Sequence, residues 1–295
     1  MKIAVFTKNR NNPAYQAARL GADRTAARLG AHATHYVPES PDDAVEQSAL
    51  IAQALTESPD AIVLVPVHPV AVNAAIRKIN AAGIPLFSCI NRLGEGECIS
   101  HVGSEDYPLA FRIACRVYEH LGGRGDVVIV EGPPESVTSI ARVRAFREAA
   151  ARYPGIRIVA TCGGQYLPEP ARLAMAELLP RTPNIDAILA ANDIMAIGVI
   201  EALRAAGRRT VLAGINAIPA AIDAIKAGEM LASTDFNAMD MACLATECAI
   251  RHLRGEAVPR EIILPAEIVD RFNCSHWDKP YELRDCPDWN QVVHS

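Results

Sequence analysis

Ile3, Ala4, Val5 and Phe6 form a short apolar run, and Asn9, Arg10, Asn11, Asn12 and Pro13 then break it. From Pro13 the apolar positions take helical spacing, with Tyr15, Ala18 and Ala22 on one stripe. Proline suits the first turn of a helix, because its missing N–H would have no partner there. The chain therefore opens as strand, polar turn and helix. The alternation continues with a short strand around His35–Val37 and a helix over Ala44–Leu55. Ala61–Val65 has the look of a parallel strand covered on both faces. A helix over Pro69–Ala82, a strand over Pro85–Ile90 and a strand over Cys98–Gly103 follow. Strands and helices in this order predict stacked βαβ units and a doubly wound sheet.

The pattern then restarts. Helices are predicted over Leu109–Leu121, Ser136–Tyr153, Glu169–Leu179, Ile194–Ala205, Pro219–Ala227 and Met239–Arg254. Strands are predicted over Asp126–Val130, Arg157–Thr161, Asp186–Ala190, Val211–Ile215 and Leu231–Thr234. Ile262–Val269 is a last extended run, interrupted by Pro265. Two copies of one α/β plan imply two lobes with a cleft between them. From Asn273 on neither period holds, and Trp277, Tyr281 and Trp289 stand among Asp and Pro. This reads as a tail packed on the lobes and held by its aromatics.

Half of the 295 residues are hydrophobic and 21% are charged, enough to bury a core. The net charge is −5 with both signs interspersed, which argues against a nucleic-acid surface. No apolar run approaches the ~18 residues that would span a bilayer. The first strand begins at Lys2, so no leader is expected within the chain: either a leader has been removed or the protein is cytoplasmic. The eight cysteines show no metal-ligand spacing, and no metal is expected. Cys274 and Cys286 are the candidate pair for a disulfide.

In open α/β sheets, ligands bind beyond the carboxyl ends of the strands. The residues placed there are Asn11, Asn12 and Tyr15, then Val67 and His68, Asn91 and Arg92, Glu135 and Arg142, Tyr166, Asn192 and Asp193, Asn216, and Asp235, Phe236 and Asn237. Amides donate and accept, arginine offers a fork of donors, and aromatic faces cover the C–H side of a ring. The set suits a small polyhydroxylated ligand. It holds no nucleophile–base pair and no phosphate loop, so neither catalysis nor a cofactor is expected. Asp193 reads as the N-cap of the helix that follows it.

Several motifs occur together: N-N-P-x-Y at Asn11–Tyr15, A-x-G-I-P at Ala81–Pro85, N-R at Asn91-Arg92, S-H-V-G-S-E at Ser100–Glu105, R-x-x-x-F at Arg142–Phe146 and A-N-D-x-M-A-x-G at Ala191–Gly198. In this order they make the chain resemble a type I periplasmic binding protein of the ribose/galactose-binding kind, from Lys2 to about Asn273. The resemblance implies an α/β fold of two doubly wound, Rossmann-like lobes with parallel sheets. The lobes would be 1–104 plus 236–264 and 105–235 plus 265–272, with 273–295 as the tail. Three crossings, near Ser104, Asp235 and Pro265, would be the hinge. It implies a monomeric, periplasmic solute-binding protein that closes on a sugar, alditol or sugar acid and delivers it to the permease subunits of an ABC importer. Ligand contacts would fall on Asn12, Tyr15, Asn91, Arg92, Arg142, Tyr166, Asn192, Asn216, Asp235 and Phe236. Cytoplasmic effector domains of LacI-type repressors share the fold and are the alternative.

The chain departs from the ribose-type pattern, which has Asp at Asn91 and Asn216, Gln at Phe236 and a second aromatic at Ala14. Two acceptor charges are gone while Arg92 and Arg142 stay. An unpaired arginine in a closed cleft favours an anionic or acceptor-rich ligand. If Asp235 or Glu135 neutralises one arginine, a neutral sugar or alditol fits instead.

Overall fold

A computed structural model describes residues 1–293. The chain forms two compact units. The first holds Met1–Ser104, Asn237–Leu264 and the chain from Tyr281 on; the second holds Glu105–Phe236 and Pro265–Pro280. The chain thus passes between the units four times. The added passage after Pro280 divides the tail expected as one piece, and Phe236 falls in the second unit.

The first unit contains β1 (Lys2–Phe6), α1 (Pro13–Arg28), β2 (His32–Tyr36), α2 (Ala44–Thr56), β3 (Ala61–Leu64), α3 (Asn73–Ala81), β4 (Leu86–Ile90) and β5 (Ser100–Gly103). The second contains α4 (Asp106–His120), β6 (Arg124–Glu131), α5 (Val137–Ala150), β7 (Gly155–Gly163), α6 (Pro168–Leu178), β8 (Ala187–Ala190), α7 (Asp193–Ala205), β9 (Val211–Ile215), α8 (Pro219–Lys226) and β10 (Ala232–Asp235). The helix α9 (Ala238–Leu253) and β11 (Glu261–Ile263) return to the first unit, and β12 (Glu267–Asp270) to the second. The strand orders are β11-β5-β4-β3-β1-β2 and β12-β10-β9-β8-β6-β7. All pairs are parallel except β10 with β12. In each sheet the order reverses beside the first strand, and loops leaving such a switch point are where α/β sheets hold ligands.

The last extended run is therefore two strands in two sheets. Pro265, which lacks a ladder donor, stands between them. The helix expected from Pro69 begins later, at Asn73, because the His68 Nδ1 accepts the N–H groups of Val70 and Ala71 and holds a turn.

Small residues let α1 and α9 pack closely. Ala14, Ala17, Ala18, Ala22 and Ala26 are buried along α1. A Cβ at Gly21 would sit 2.6 Å from the Met239 carbonyl oxygen of α9, so no larger residue fits there.

Asp193 is the first residue of α7; the cap is Asn192, whose side chain accepts the Met195 N–H at 3.0 Å. Asp193 is fully buried instead. The Ser233 hydroxyl donates to both its oxygens at 2.8 Å, and the Ile218 N–H donates at 3.1 Å. Ser233 Oγ in turn accepts the Ala217 N–H at 3.0 Å. One carboxyl thus fixes the loop Asn216–Ile218 against β10.

Burial pushes the Asp193 carboxyl up to about 7, against bonds from Ser233 and Ile218 and the charge of Arg142; Asp235 adds to the rise. A folded value above the unfolded value of about 3.9 means the folded chain keeps the proton longer. The stability this group contributes is full below pH ~4 and is lost as pH rises towards ~7. Between pH ~5 and pH ~7 the loss should be about 2 kcal/mol, because each tenfold difference in proton affinity between the folded and unfolded chains is worth about 1.4 kcal/mol. Asp193→Asn should remove that slope in urea unfolding; an unchanged slope would show that the titrating group lies elsewhere.

Candidate functional site

At the strand ends of the first unit, the turn after β1 buries Thr7, Lys8, Asn9 and Asn12. Asn9 Oδ1 accepts the Asn12 N–H at 2.9 Å, and Asn12 Oδ1 caps α1 by accepting the Ala14 N–H at 3.0 Å. The Asn12 oxygen therefore serves the helix, and a ligand would meet its amide nitrogen. Tyr15 is half-buried one turn further on. Lys8 faces Asp42, whose carboxyl burial pushes up while Lys8 and Asn9 pull it down.

After β4, Ile90 is held at a φ of 64°, a left-handed conformation costly for a β-branched residue, and this turns the chain at Asn91. Arg92 is more than half exposed, and its Nη2 lies 2.5 Å from the Glu261 carboxylate. His101 is buried beside this pair with Nδ1 2.8 Å from Ser88 Oγ. Burial first, and the charge of Arg92 second, bring the His101 imidazole down to about 4, so it is neutral near pH 7.

In the second unit, Arg142 of α5 is 3% exposed. Its Nε donates to Asp106 Oδ1 at 2.8 Å, Nη2 lies 2.7 Å from the same oxygen, and Nη1 donates to the Ala191 carbonyl at 2.7 Å. Its guanidinium lies 5.6 Å from the centroid of the Phe236 ring, a cation–π contact. Asn192 follows Ala191 directly, so helix starts and strand ends meet at this arginine.

Tyr166 has a φ of 55°, and its ring lies against Gly132, where a Cβ would sit 2.5 Å from it. Its ring is half-buried, but the hydroxyl is buried without a hydrogen-bond partner among the described residues. Ser136 and Ser139 stand near, and burial pushes the phenol up to about 12. Asn216 has a φ of 130°, and its Oδ1 is likewise buried and unpartnered among the described residues. Asp235 accepts the Trp277 indole N–H at 2.5 Å.

The structure brings Arg142, Phe236 and Asn192 together, with Tyr166 within reach of the charges of Arg142 and Asp106. It overturns the expectation of unpaired arginines. Arg142 holds Asp106 as a salt-bridge partner, Asp235 accepts from Trp277, and Glu135 is exposed. Lys8, Asn9, Asp42, His101, Asp106 and Glu261 escaped the sequence reading. The S-H-V-G-S-E motif held His101 and stopped one residue short of Asp106, the only available hint.

A family model described as a periplasmic binding protein domain matches residues 3–257. The chain is 29% identical over 282 residues to the D-apiose import binding protein of Actinobacillus succinogenes, covering 94% of this chain and 90% of that one. It is 26% identical to the xylitol-binding protein of Mycolicibacterium smegmatis, over 79% of this chain and 68% of that one. A crystal structure of a periplasmic solute-binding protein from Actinobacillus succinogenes with bound D-allose superposes with a TM-score of 0.86 at 28% identity, covering 92% of this chain and 98% of that one.

Arg142→Ala leaves the Asp106 carboxylate and the Ala191 carbonyl without their donor. Unfolding free energy should fall by about 2–4 kcal/mol, at or below the cost of breaking a fully buried pair because Asp106 still reaches water. Arg142→Lys should recover only part, since an ammonium cannot serve both acceptors with one planar fork. Denaturant titration of the three proteins checks the order; equal stability of the alanine variant and the parent would remove Arg142 from this role.

Proposed function

The chain belongs to the periplasmic binding protein family, and we propose that it captures a small, uncharged polyhydroxylated molecule, a sugar or an alditol, for an ABC importer. The observation that carries the choice of an uncharged ligand is the pairing of both strand-end arginines, Arg142 with Asp106 and Arg92 with Glu261. A cation that already holds its carboxylate gains little from an anionic ligand, which would have to displace that carboxylate. What remains for a ligand at the strand ends of the second unit is a mixed set: the Tyr166 hydroxyl and the Asn216 carbonyl, both buried without a partner among the described residues, beside the Phe236 ring. Sugar hydroxyls both donate and accept, so they can satisfy an orphaned hydroxyl and an orphaned amide oxygen together. The relatives are named for D-apiose and xylitol, and D-allose is bound in the similar structure; all three molecules are uncharged polyols.

The same reading takes the protein to act as a monomer outside the cytoplasmic membrane, to pass its ligand unchanged to permease subunits, and to need no cofactor. Among the described residues no helix is long and apolar enough to cross a membrane.

A thermal-shift screen over neutral pentoses, hexoses, pentitols and inositols, with aldonates and uronates beside them, tests the ligand class. A ligand at 100 times its dissociation constant adds about 2.7 kcal/mol, a readily detected shift. Neutral polyols should give the shifts; stabilisation by the acids alone would reverse the assignment. Tyr166→Phe tests the site itself. Removing an unsatisfied buried hydroxyl should leave the ligand-free protein as stable or up to about 1 kcal/mol more so, while affinity falls about tenfold or more. If calorimetry finds affinity unchanged, Tyr166 does not touch the ligand through its hydroxyl.

A further inference from the structure

Cys243 of α9 and Cys286 of the tail lie with their sulfurs 2.9 Å apart, within 1 Å or so of the ~2.05 Å of a bonded pair. Both are free thiols here, and separate contacts hold each in place. On the tail side, Arg24 of α1 donates to the carbonyl oxygens of Glu282 and, at 2.5 Å, of Arg284. Arg251 lies 4.5 Å over the ring of the buried Trp289 beyond it. On the helix side, a Cβ at Gly21 would come within 2.9 Å of the Cys243 sulfur, so α1 leaves that thiol little room to turn away. Tyr281 and Cys286 pack on Ala17, Met239 and Cys243, and the Thr25 hydroxyl lies 3.9 Å from the Cys286 sulfur. Cys274, the candidate partner of Cys286 within the tail, belongs to the other unit.

We propose that Cys243 and Cys286 form a reversible disulfide that fastens the tail to the α1–α9 face of the first unit. The oxidant is a disulfide, of a small thiol or of a thiol-oxidising protein. The Cys286 thiolate attacks it, forming a mixed disulfide and releasing one thiol. The Cys243 thiol, losing its proton to solvent, attacks the Cys286 sulfur and releases the second. Two protein thiols are oxidised and one disulfide is reduced to two thiols. The roles follow from the environment. The Cys243 S–H donates to Cys286 and, with Thr25, Arg24 and Arg28, holds the Cys286 thiol low against its burial. That bond and burial hold Cys243 high. A low thiol pKa supplies the attacking thiolate.

The two cysteines are 43 positions apart. Between them the chain leaves the first unit after Leu264 and returns at Tyr281. The bond would therefore close a covalent loop that runs through the second unit, and would tie together the ends of two of the four passages.

The test uses the full chain with oxidised glutathione, then with dithiothreitol. After alkylation and digestion without reduction, mass spectrometry should find one cross-linked peptide joining Cys243 to Cys286. The melting temperature should rise by about 5–10 °C on oxidation and fall back on reduction. Cys286→Ser should abolish the rise, while Cys274→Ser should keep it. Three outcomes overturn the proposal: both thiols alkylated in full after oxidation, a lasting glutathione adduct on Cys286, or a link from either residue to another cysteine. The peptide readout uses the unsubstituted chain, so it stands even if a serine variant folds poorly.

Discussion

The guanidinium of Arg142 is the constraint on which the second unit's strand ends depend. At 3% exposure it has given up its water, so every strong donor it carries needs an acceptor from the protein. Asp106 supplies one from the start of α4 and Ala191 another from the end of β8. Those bonds dictate where α4 begins relative to β8, and hence where Asn192 and the start of α7 lie. Phe236 covers the guanidinium face, which draws the end of β10 to the same point. The arginine is therefore a positioning residue before it is anything to a ligand. Its charge is paired inside the unit with Asp106, a partner that a count of arginines and missing carboxylates does not include.

Backbone strain marks the strand ends of each unit. Ile90, Gln165, Tyr166, Asn216, Ala217 and Asn237 all have positive φ, and each lies beside a strand-end residue named above. Conformations of this kind cost on the order of 1–3 kcal/mol each and persist only where the surroundings over-determine them. For Asn216 and Ala217 the surroundings are known: Asp193 holds Ser233, and Ser233 holds the Ala217 N–H. The sheet beneath in the second unit is apolar, with Ile188, Leu189, Val128 and Ile129 fully buried at its centre. In each unit an apolar core thus carries strained strand ends, which fixes the direction of the donors and acceptors there.

The sheets were legible because both signals were strong: runs such as Ala61–Leu64 are buried throughout, and the βα alternation repeats with the same plan. The strand-end positions followed from that plan alone. What escaped were the partners. Asp106 lies 36 positions before Arg142, and Glu261 lies on a strand from another part of the chain; only tertiary structure brings them to their arginines. The reading of Asp193 as a cap failed because Asn192, one position earlier, is a better cap, and a cap and a buried hub look alike in sequence. The left-handed φ of Ile90 and Tyr166 had no signal at all, since neither residue type favours it. Cys274 and Cys286 were the candidate pair on proximity within the tail alone, which said nothing of the passage after Pro280 that places them in different units.

The departures from the ribose-type pattern then take on a different meaning. Asn91 and Asn216 stand where that pattern has aspartates, yet the arginine of each unit already holds a carboxylate, Arg92 with Glu261 in the first and Arg142 with Asp106 in the second. The two asparagines exchange two acceptors that bind any well-placed hydroxyl strongly for two amides that both donate and accept more weakly. An amide rewards a hydroxyl only when the direction of its proton suits, so affinity comes to depend on the arrangement of hydroxyls rather than on their number. Asn216 is the sharper case, because its strained backbone leaves the side chain little freedom to follow a misplaced ligand group, and an unmatched Oδ1 would remain buried at a cost of about 1–3 kcal/mol.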